Sequence, residues 1–408
     1  MSGLAVNGGS PVRTKPFPRW PRYDDAERRG LLRALEREEW GGRVASSGEV
    51  DGFEGEFAEF HSAPAALAVT NGTHALQLAL EVLGVGPGDD VLVPALTPIP
   101  TPNAVRQRGA MPRPVDVDLR TYCLDPLRLE AARTARTKAL IVVHLGGNVA
   151  DMEHVLGWAH EAGVAVIQDA AHAHGARWQD RGIGELGTIA TFSFMQGKVM
   201  TAGEGGAVLL PHHALYDEAF TRHCIGRMPA GAPRGFHTAS SNYRISEFTA
   251  ALLRAQLSRL AEQNECRERR WKELAGLLSR IAGVTPQGRD PRCTLHPHYL
   301  ALLTLDPDVY GGLSRDWVAE ALQAEGIPVH PMFPPIYRFP AFWDGLDADY
   351  HGGAEHLAAA CPNSERLGTW GLFLRHEVLL GDEQDVRDIA DAVEKVLSAL
   401  ASNGRQGR

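Results

Sequence analysis

The sequence predicts an α/β fold: a large domain on a mostly parallel sheet, followed by a smaller C-terminal α+β domain. Two observations carry this. Between residues 66 and 210, short apolar runs alternate with segments of helical periodicity, the pattern of strands joined by crossover helices. After a long helical stretch that begins near Ser246, the alternation resumes on a smaller scale to the end of the chain.

Residues 1–24 are rich in Pro and Gly and read as an irregular arm. Asp24 or Asp25 opens a helix that runs to about Glu38. The large domain, 25–265, then reads as strand 66–70, helix 73–83, strand 90–93, helix 102–108, strand 113–116, helix 126–134, strand 138–143, helix 151–162 and strands 164–168, 188–194 and 206–210. Residues 212–244, punctuated by Gly226, Pro229, Gly231, Pro233 and Gly235, read as a long loop. The helical stretch spans Ser246 to about Ile281, with a break expected near Gly276. The small domain, 266–400, reads as strand 299–305, helix 314–325, strand 327–330, an aromatic loop 333–343 and a final helix 383–400, with a frayed tail at 401–408.

Composition narrows the function classes. A 408-residue chain with 44% hydrophobic and 22% charged residues has the balance of a globular enzyme. A net charge of −9 without a basic tail argues against a nucleic-acid binder. Five dispersed cysteines, with no Cys-x-x-Cys pair, point to a reducing compartment rather than a disulfide framework or zinc site. Met1 to Lys15 holds no apolar signal core and no run approaches the ~20 apolar residues of a membrane span, so a cytoplasmic protein with no membrane contact is expected. No metal is expected: His212-His213 precedes a polar helix start and reads as a solvated turn, and His296-Pro297-His298-Tyr299 fits no ligand spacing. Gly203-x-Gly205-Gly206 leads into a strand rather than the helix of a dinucleotide site, and Phe192-Ser193-Phe194 lacks the glycines of a nucleophile elbow.

Three segments carry chemistry. In Phe192-Ser193-Phe194-Met195-Gln196-Gly197-Lys198-Val199-Met200-Thr201-Ala202-Gly203, a strand delivers one lysine into a cluster of small residues. A lysine that forms a Schiff base must be fixed, partly desolvated and able to lose its proton, and this setting allows it. In Val164-Ala165-Val166-Ile167-Gln168-Asp169-Ala170-Ala171-His172, a buried strand ends in a carboxylate, where open α/β sheets place their ligands. Such a carboxylate can pair with a protonated pyridine nitrogen; Ala171 is small enough to lie on a ring face, and His172 is within reach of a phenolic oxygen. In Leu67-Ala68-Val69-Thr70-Asn71-Gly72-Thr73-His74, a strand turns into a helix start, a phosphate site in waiting, with the Thr73 hydroxyl either capping the helix or binding phosphate. Taken singly, each also reads as ordinary structure: a strand-end lysine, a capping aspartate, a capped helix.

Together these residues resemble the fold-type I enzymes that use pyridoxal 5'-phosphate (PLP), specifically the DegT/DnrJ/EryC1/StrS family of sugar and aminocyclitol aminotransferases. The resemblance runs from Phe17-Pro18-Arg19-Trp20-Pro21 to the last helix. The subgroup most similar is the 3-amino-5-hydroxybenzoate (AHBA) synthases, through Ala68-Val69-Thr70-Asn71-Gly72-Thr73-His74-Ala75-Leu76, Gln168-Asp169-Ala170-Ala171-His172-Ala173-His174-Gly175 and Met200-Thr201-Ala202-Gly203-Glu204-Gly205-Gly206-Ala207. Gln196-Gly197-Lys198-Val199 is also similar to the glutamine-dependent cyclitol aminotransferases.

The resemblance implies roles. Lys198 takes the cofactor aldehyde and shuttles protons, Asp169 pairs with the ring nitrogen, and His172 sits by the phenolic oxygen. Gly72, Thr73 and Ser193 bind phosphate. Asn242 reaches the phosphate of a second subunit, which implies a homodimer with shared active sites. Two stretches depart from the family pattern. Pro98, in Thr97-Pro98-Ile99-Pro100-Thr101-Pro102, stands where the family has a stacking aromatic, and these prolines stiffen the loop and remove amide donors. The segment Trp40 to Gly48 lacks the aromatics that AHBA synthases carry there. The implied activity is transfer of an amino group from L-glutamine or L-glutamate to a keto-cyclitol or keto-sugar in antibiotic biosynthesis. The alternatives are an AHBA-synthase-like dehydration and aromatisation of amino-dehydroshikimate, and, remotely, a non-catalytic pseudo-enzyme.

Overall fold

The computed structural model describes residues 3–41, 48–229, 235–309, 314–346 and 352–404. Most of the altered 40–48 segment therefore lies outside the described residues, as do 230–234 of the expected long loop and 405–408 of the expected tail.

Seven strands form the main sheet: β1 (Ala65–Val69), β2 (Asp90–Pro94), β3 (Met111–Val115), β4 (Thr137–Val143), β5 (Ala165–Asp169), and, past two short strands β6 (Arg177–Trp178) and β7 (Arg181–Gly182), β8 (Ile189–Ser193) and β9 (Gly206–Leu210). Their order is β1-β9-β8-β5-β4-β2-β3. The five strands from β8 to β3 pair in parallel, whereas β9 runs antiparallel to both β8 and β1. β2 and most of β4 are buried, as Val- and Leu-rich strands covered on both faces must be. The sheet core includes Leu67, Val93, Ile141, Ile167 and Phe192.

A second sheet follows: β10 (Val284–Pro286), β12 (Leu300–Leu305), β13 (Val329–Pro331) and β14 (Gly371–Arg375), in the order β10-β12-β14-β13. The intervening β11 (Cys293–Leu295) pairs with β6. A separate apolar cluster, with Leu274, Leu303, Leu322, Leu374 and Ile389, packs against this sheet. The arm is irregular but not loose. Leu4 is buried in that second cluster, and Arg13 pairs with Asp385 at 2.7 Å and Asp388 at 2.6 Å.

Four sequence expectations are corrected. The helix His213–His223 occupies the first part of the expected 212–244 loop, with the His212 side chain accepting the Leu215 amide as its cap. A helix Glu49–Phe60 went unread because its Glu- and Gly-rich surface hides its apolar stripe, Val50, Phe53 and Phe57. The long helical stretch breaks at Ser258–Arg259, between Glu247–Leu257 and Leu260–Leu278, rather than at Gly276. At the break Arg259 pairs with Glu27 at 2.6 Å, while Gly276 faces open space, where glycine costs only about 1 kcal/mol. The last helix extends to Gly404.

Candidate active site

A cavity of about 880 Å³ opens at the carboxyl ends of the parallel strands, the position the α/β architecture reserves for ligands. It brings together Gly72, Thr73, Pro98, Asp169, Ala171, His172, Ser193 and Lys198, drawn from segments more than a hundred residues apart.

Asp169 is the last residue of β5 and is only 6% exposed. Its Oδ1 accepts the Ala171 amide at 3.2 Å, and its Oδ2 accepts the Thr101 hydroxyl at 2.9 Å. Burial pushes the carboxyl above its ordinary range, opposed chiefly by the Thr101 hydrogen bond. A desolvated carboxylate of this kind is completed by a cation such as a protonated ring nitrogen. Thr101 reaches it because the proline-rich segment is a helix start, Pro100–Gln107, and not a stiff loop. Pro100 and Pro102 occupy the first turn, where amide hydrogens have no partner inside the helix and their loss costs nothing.

Lys198 sits in the turn that leaves β8. The turn is closed by the Phe194 amide on the Gly205 carbonyl, the Gln196 amide on the Gly203 carbonyl, and the Lys198 amide on the Met195 carbonyl, all within 2.9 Å. Burial lowers the amine from the ordinary 10.5 to about 8, against the pull of Asp169. Its Nζ lies 4.4 Å from the centroid of the Tyr299 ring. The amine is thus fixed, desolvated and close to giving up its proton at neutral pH.

His172 Nδ1 accepts the Gly146 amide at 3.3 Å, which leaves the proton of the neutral ring on Nε2. Burial first, and the Lys198 charge next, hold this imidazole well below its ordinary range. Its ring packs 4.2 Å from Tyr299.

The far end of the cavity is the start of the helix Gly72–Val82. Asn71, not Thr73, caps it, accepting the His74 amide at 2.8 Å. Thr73 is therefore freed to face the cavity with the first-turn amides. A Cβ at Gly72 would lie 2.6 Å from that of Ser193, so only glycine lets the helix start sit against the end of β8. The Ser193 carbonyl accepts the buried His174 Nε2 at 2.9 Å. These features fit PLP: amide donors and hydroxyls for a phosphate, a buried carboxylate for a ring nitrogen, and a buried lysine for an aldehyde.

Asn242 is not brought to this cavity within the one chain. It is exposed, bridging Cys224, with its Oδ1 accepting the Arg244 amide. Sequence reading missed Thr101, Tyr299, His330, Phe333, Phe373 and Arg375, all of which line the cavity. The proline at the first helical position was a usable signal for Thr101. The others come from the second sheet and its loops, and carry no local mark. Arg375 packs its guanidinium against Gly197, where a Cβ would come within 2.7 Å of it.

Cavity, strand-end carboxylate and buried lysine define the class of a fold-type I PLP enzyme. Comparison with known proteins agrees, and the chain belongs to the DegT/DnrJ/EryC1/StrS aminotransferase family, whose model matches residues 23–394. It is 48% identical to a 3-amino-5-hydroxybenzoate synthase of Amycolatopsis mediterranei, over 93% of this chain and 98% of that one. It is 38% identical to an L-glutamine:2-deoxy-scyllo-inosose aminotransferase of Micromonospora echinospora, over 98% of each. A crystal structure of AHBA synthase superposes with a TM-score of 0.89 at 46% identity, covering 95% of this chain and all of the other. PLP is accordingly its cofactor. Among the described residues no group of three or more side chains could hold a metal ion, and no helix is long and apolar enough to cross a membrane.

Proposed function

We propose that this chain moves an amino group from L-glutamine or L-glutamate to a keto group on a cyclitol or sugar in antibiotic biosynthesis. The observation that carries this is the buried Lys198 amine, lowered to about 8, facing the buried Asp169 carboxylate across one cavity. PLP, when bound, supplies an aldehyde that takes the amino group and a ring that spreads the negative charge left by proton removal. Lys198 Nζ takes the proton from the donor's α-carbon and returns one to the acceptor carbon. Asp169 keeps the ring nitrogen protonated, with Thr101 orienting its Oδ2. The Gly72 and Thr73 amides, with the Ser193 hydroxyl, hold the phosphate. His172 offers its Nε2 proton to the phenolic oxygen, and Ala171 and Pro98 border the ring faces. Arg375 is placed to receive a substrate carboxylate.

Asn242 is assigned to the phosphate site of a second copy of this chain, giving a homodimer with shared sites. Its exposure in the single chain supports that reading. Residues 25–265 and 266–400 are assigned to a large and a small domain; the second apolar core supports this, since apart from Leu4 it is drawn from Trp271 to Leu397, while Leu300, Tyr337 and Leu367 of the small domain pack into the first core.

One observation favours a second reading. Leu300, Phe333 and Phe373 give the cavity an apolar wall beside Arg375, which suits a flat carboxylated ring such as an AHBA synthase would aromatise. One experiment separates these. The purified protein is given PLP and its visible spectrum followed as L-glutamine, then L-glutamate, is added. Transamination predicts that the bound-cofactor band is lost with either donor. A band that neither donor alters transfers support to the dehydratase reading, and an aromatic product absorbing in the near ultraviolet identifies it. No band at all removes both readings.

A further inference from the structure

The turn that carries Lys198 is held from two sides by residues distant in sequence. On one side, Trp20 Nε1 of the N-terminal arm donates to the Gln196 carbonyl at 3.0 Å. On the other, Arg267, which is fully buried, donates from one terminal nitrogen to the Val199 carbonyl at 3.3 Å. These carbonyls flank Lys198 two residues before and one after.

Neither anchor is itself free to drift. The Trp20 ring stands edge-on to the buried His376, centroids 4.5 Å apart. The chain on either side of it is tied down as well. Upstream, Glu325 accepts the Ala5 and Val12 amides at 2.9 and 3.0 Å, and Arg13 pairs with Asp385 and Asp388. Downstream, the Arg22 carbonyl accepts Gln256 Nε2 at 2.8 Å. The arm therefore begins on the second core and ends on the lysine turn. Arg267 is fixed by Asn264 Oδ1 and Gln263 Oε1, and the Asn264 amide nitrogen in turn donates to the His174 carbonyl at 2.9 Å. All its acceptors are neutral oxygens, an expensive setting for a buried guanidinium. A group that only filled space would not need to be charged.

We propose that Trp20 and Arg267 are positioning residues for Lys198, acting through the Gln196 and Val199 carbonyls, so that the N-terminal arm ties the placement of the reactive amine to the second core. A lysine side chain has four rotatable bonds, so its amine can be held only if its backbone is held first. A misplacement of ~1 Å at a reacting group costs on the order of a hundredfold in rate. The inference rests on Lys198 being the residue that takes the cofactor.

The test uses the full-length cofactor-free protein, lightly acetylated across a pH series. Labelling of the Lys198 peptide is read by mass spectrometry, with Lys15, Lys138, Lys272 and Lys395 as internal references. Trp20→Phe keeps the ring against His376 and removes only the N–H donor. Arg267→Lys keeps the charge and shortens the reach to Val199. The expected result in each is a Lys198 titration midpoint that moves up toward the ordinary lysine range while the other four lysines titrate as before. Turnover of the PLP-loaded variants falls roughly tenfold, the scale of one hydrogen bond, with KM unchanged. Asp169, His172, His174 and Tyr299 are placed around the amine, with Arg375 on the same cavity. The Arg267 charge reaches His174, but Arg267→Lys keeps that charge and Trp20→Phe removes none, so a shift shared by both variants reports the lysine's placement. A wild-type midpoint and wild-type turnover in both variants would overturn the proposal. If instead wild-type protein develops no visible band with PLP, the functional reading falls. The midpoints of the cofactor-free variants still decide the positioning role separately.

Discussion

The Thr101 hydroxyl donates to Asp169 Oδ2 at 2.9 Å, from a helix start 68 residues earlier in the chain. This bond is the main influence opposing the rise that burial imposes on the Asp169 carboxyl. Removing it takes from a nearly buried carboxylate the hydroxyl that its Oδ2 accepts. Thr101→Val should therefore lower kcat/KM about tenfold or more, the range for a hydrogen bond to a charged group, while Thr101→Ser stays near wild type. Steady-state kinetics of the two variants checks this. Equal activity of Val and Ser variants would show that the hydroxyl does nothing for Asp169.

Lys198 gives a stability prediction with a definite sign. In the unfolded chain its amine titrates near 10.5, and in the folded chain near 8. Between those values the unfolded chain binds the extra proton, so folding stability rises with pH across that window. Below about 8 the buried charge costs a constant amount, on the order of 3 kcal/mol. Cofactor-free Lys198→Met should then be more stable than wild type at neutral pH, and the difference should shrink as pH climbs from about 8 to about 10.5 and level off above that. Denaturant unfolding at several pH values reads this directly; a gap that ignores pH would contradict it. The same variant should lose turnover by a factor of at least ~10², the scale of general acid–base catalysis.

Gly72→Ala tests the close approach at the phosphate end. The added methyl meets Ser193 Cβ at 2.6 Å, inside any real contact, so the helix start must move away from β8. Overpacking of this kind costs about 1–3 kcal/mol. PLP affinity, measured by fluorescence titration, should weaken more than about tenfold, since the displaced amides are the proposed phosphate donors. Unchanged affinity would place the phosphate elsewhere.

Pro98 lines the cavity and, by the family resemblance, takes the position of a stacking aromatic. Pro98→Phe should tighten PLP binding by about 0.5–1.5 kcal/mol, the worth of an aromatic pair. Weaker binding in that variant would mean that the cavity has closed around the smaller ring and has no room for the larger one.

Lys198, Asp169 and the Asn71-Gly72-Thr73 helix start could be read from sequence because each is a local event. A buried strand ends, and the next few residues carry the chemistry. The parallel part of the sheet was legible for the same reason, since apolar runs of strand length recur between helical patterns. Local pattern failed where a local signal was overridden. The chain breaks its long helix at Ser258–Arg259, where Arg259 pairs with Glu27, more than two hundred residues away in sequence. The Glu49–Phe60 helix hides an apolar stripe under acidic residues that the fold pairs with Arg33 and Arg254.

By itself, then, the sequence determined the alternation of strands and helices, the strand-end carboxylate, the lysine and the Asn71-Gly72-Thr73 helix start, because strand and helix periodicity and turn chemistry act over a few residues. Only the tertiary structure decided what surrounds them. Thr101 on Asp169, Tyr299 beneath the Lys198 amine, Arg375 against Gly197, and Trp20 and Arg267 on the lysine turn all join elements far apart in the chain. Such contacts leave no periodicity to read, since they are made by the burial of two cores and by the need of every buried polar group for a partner.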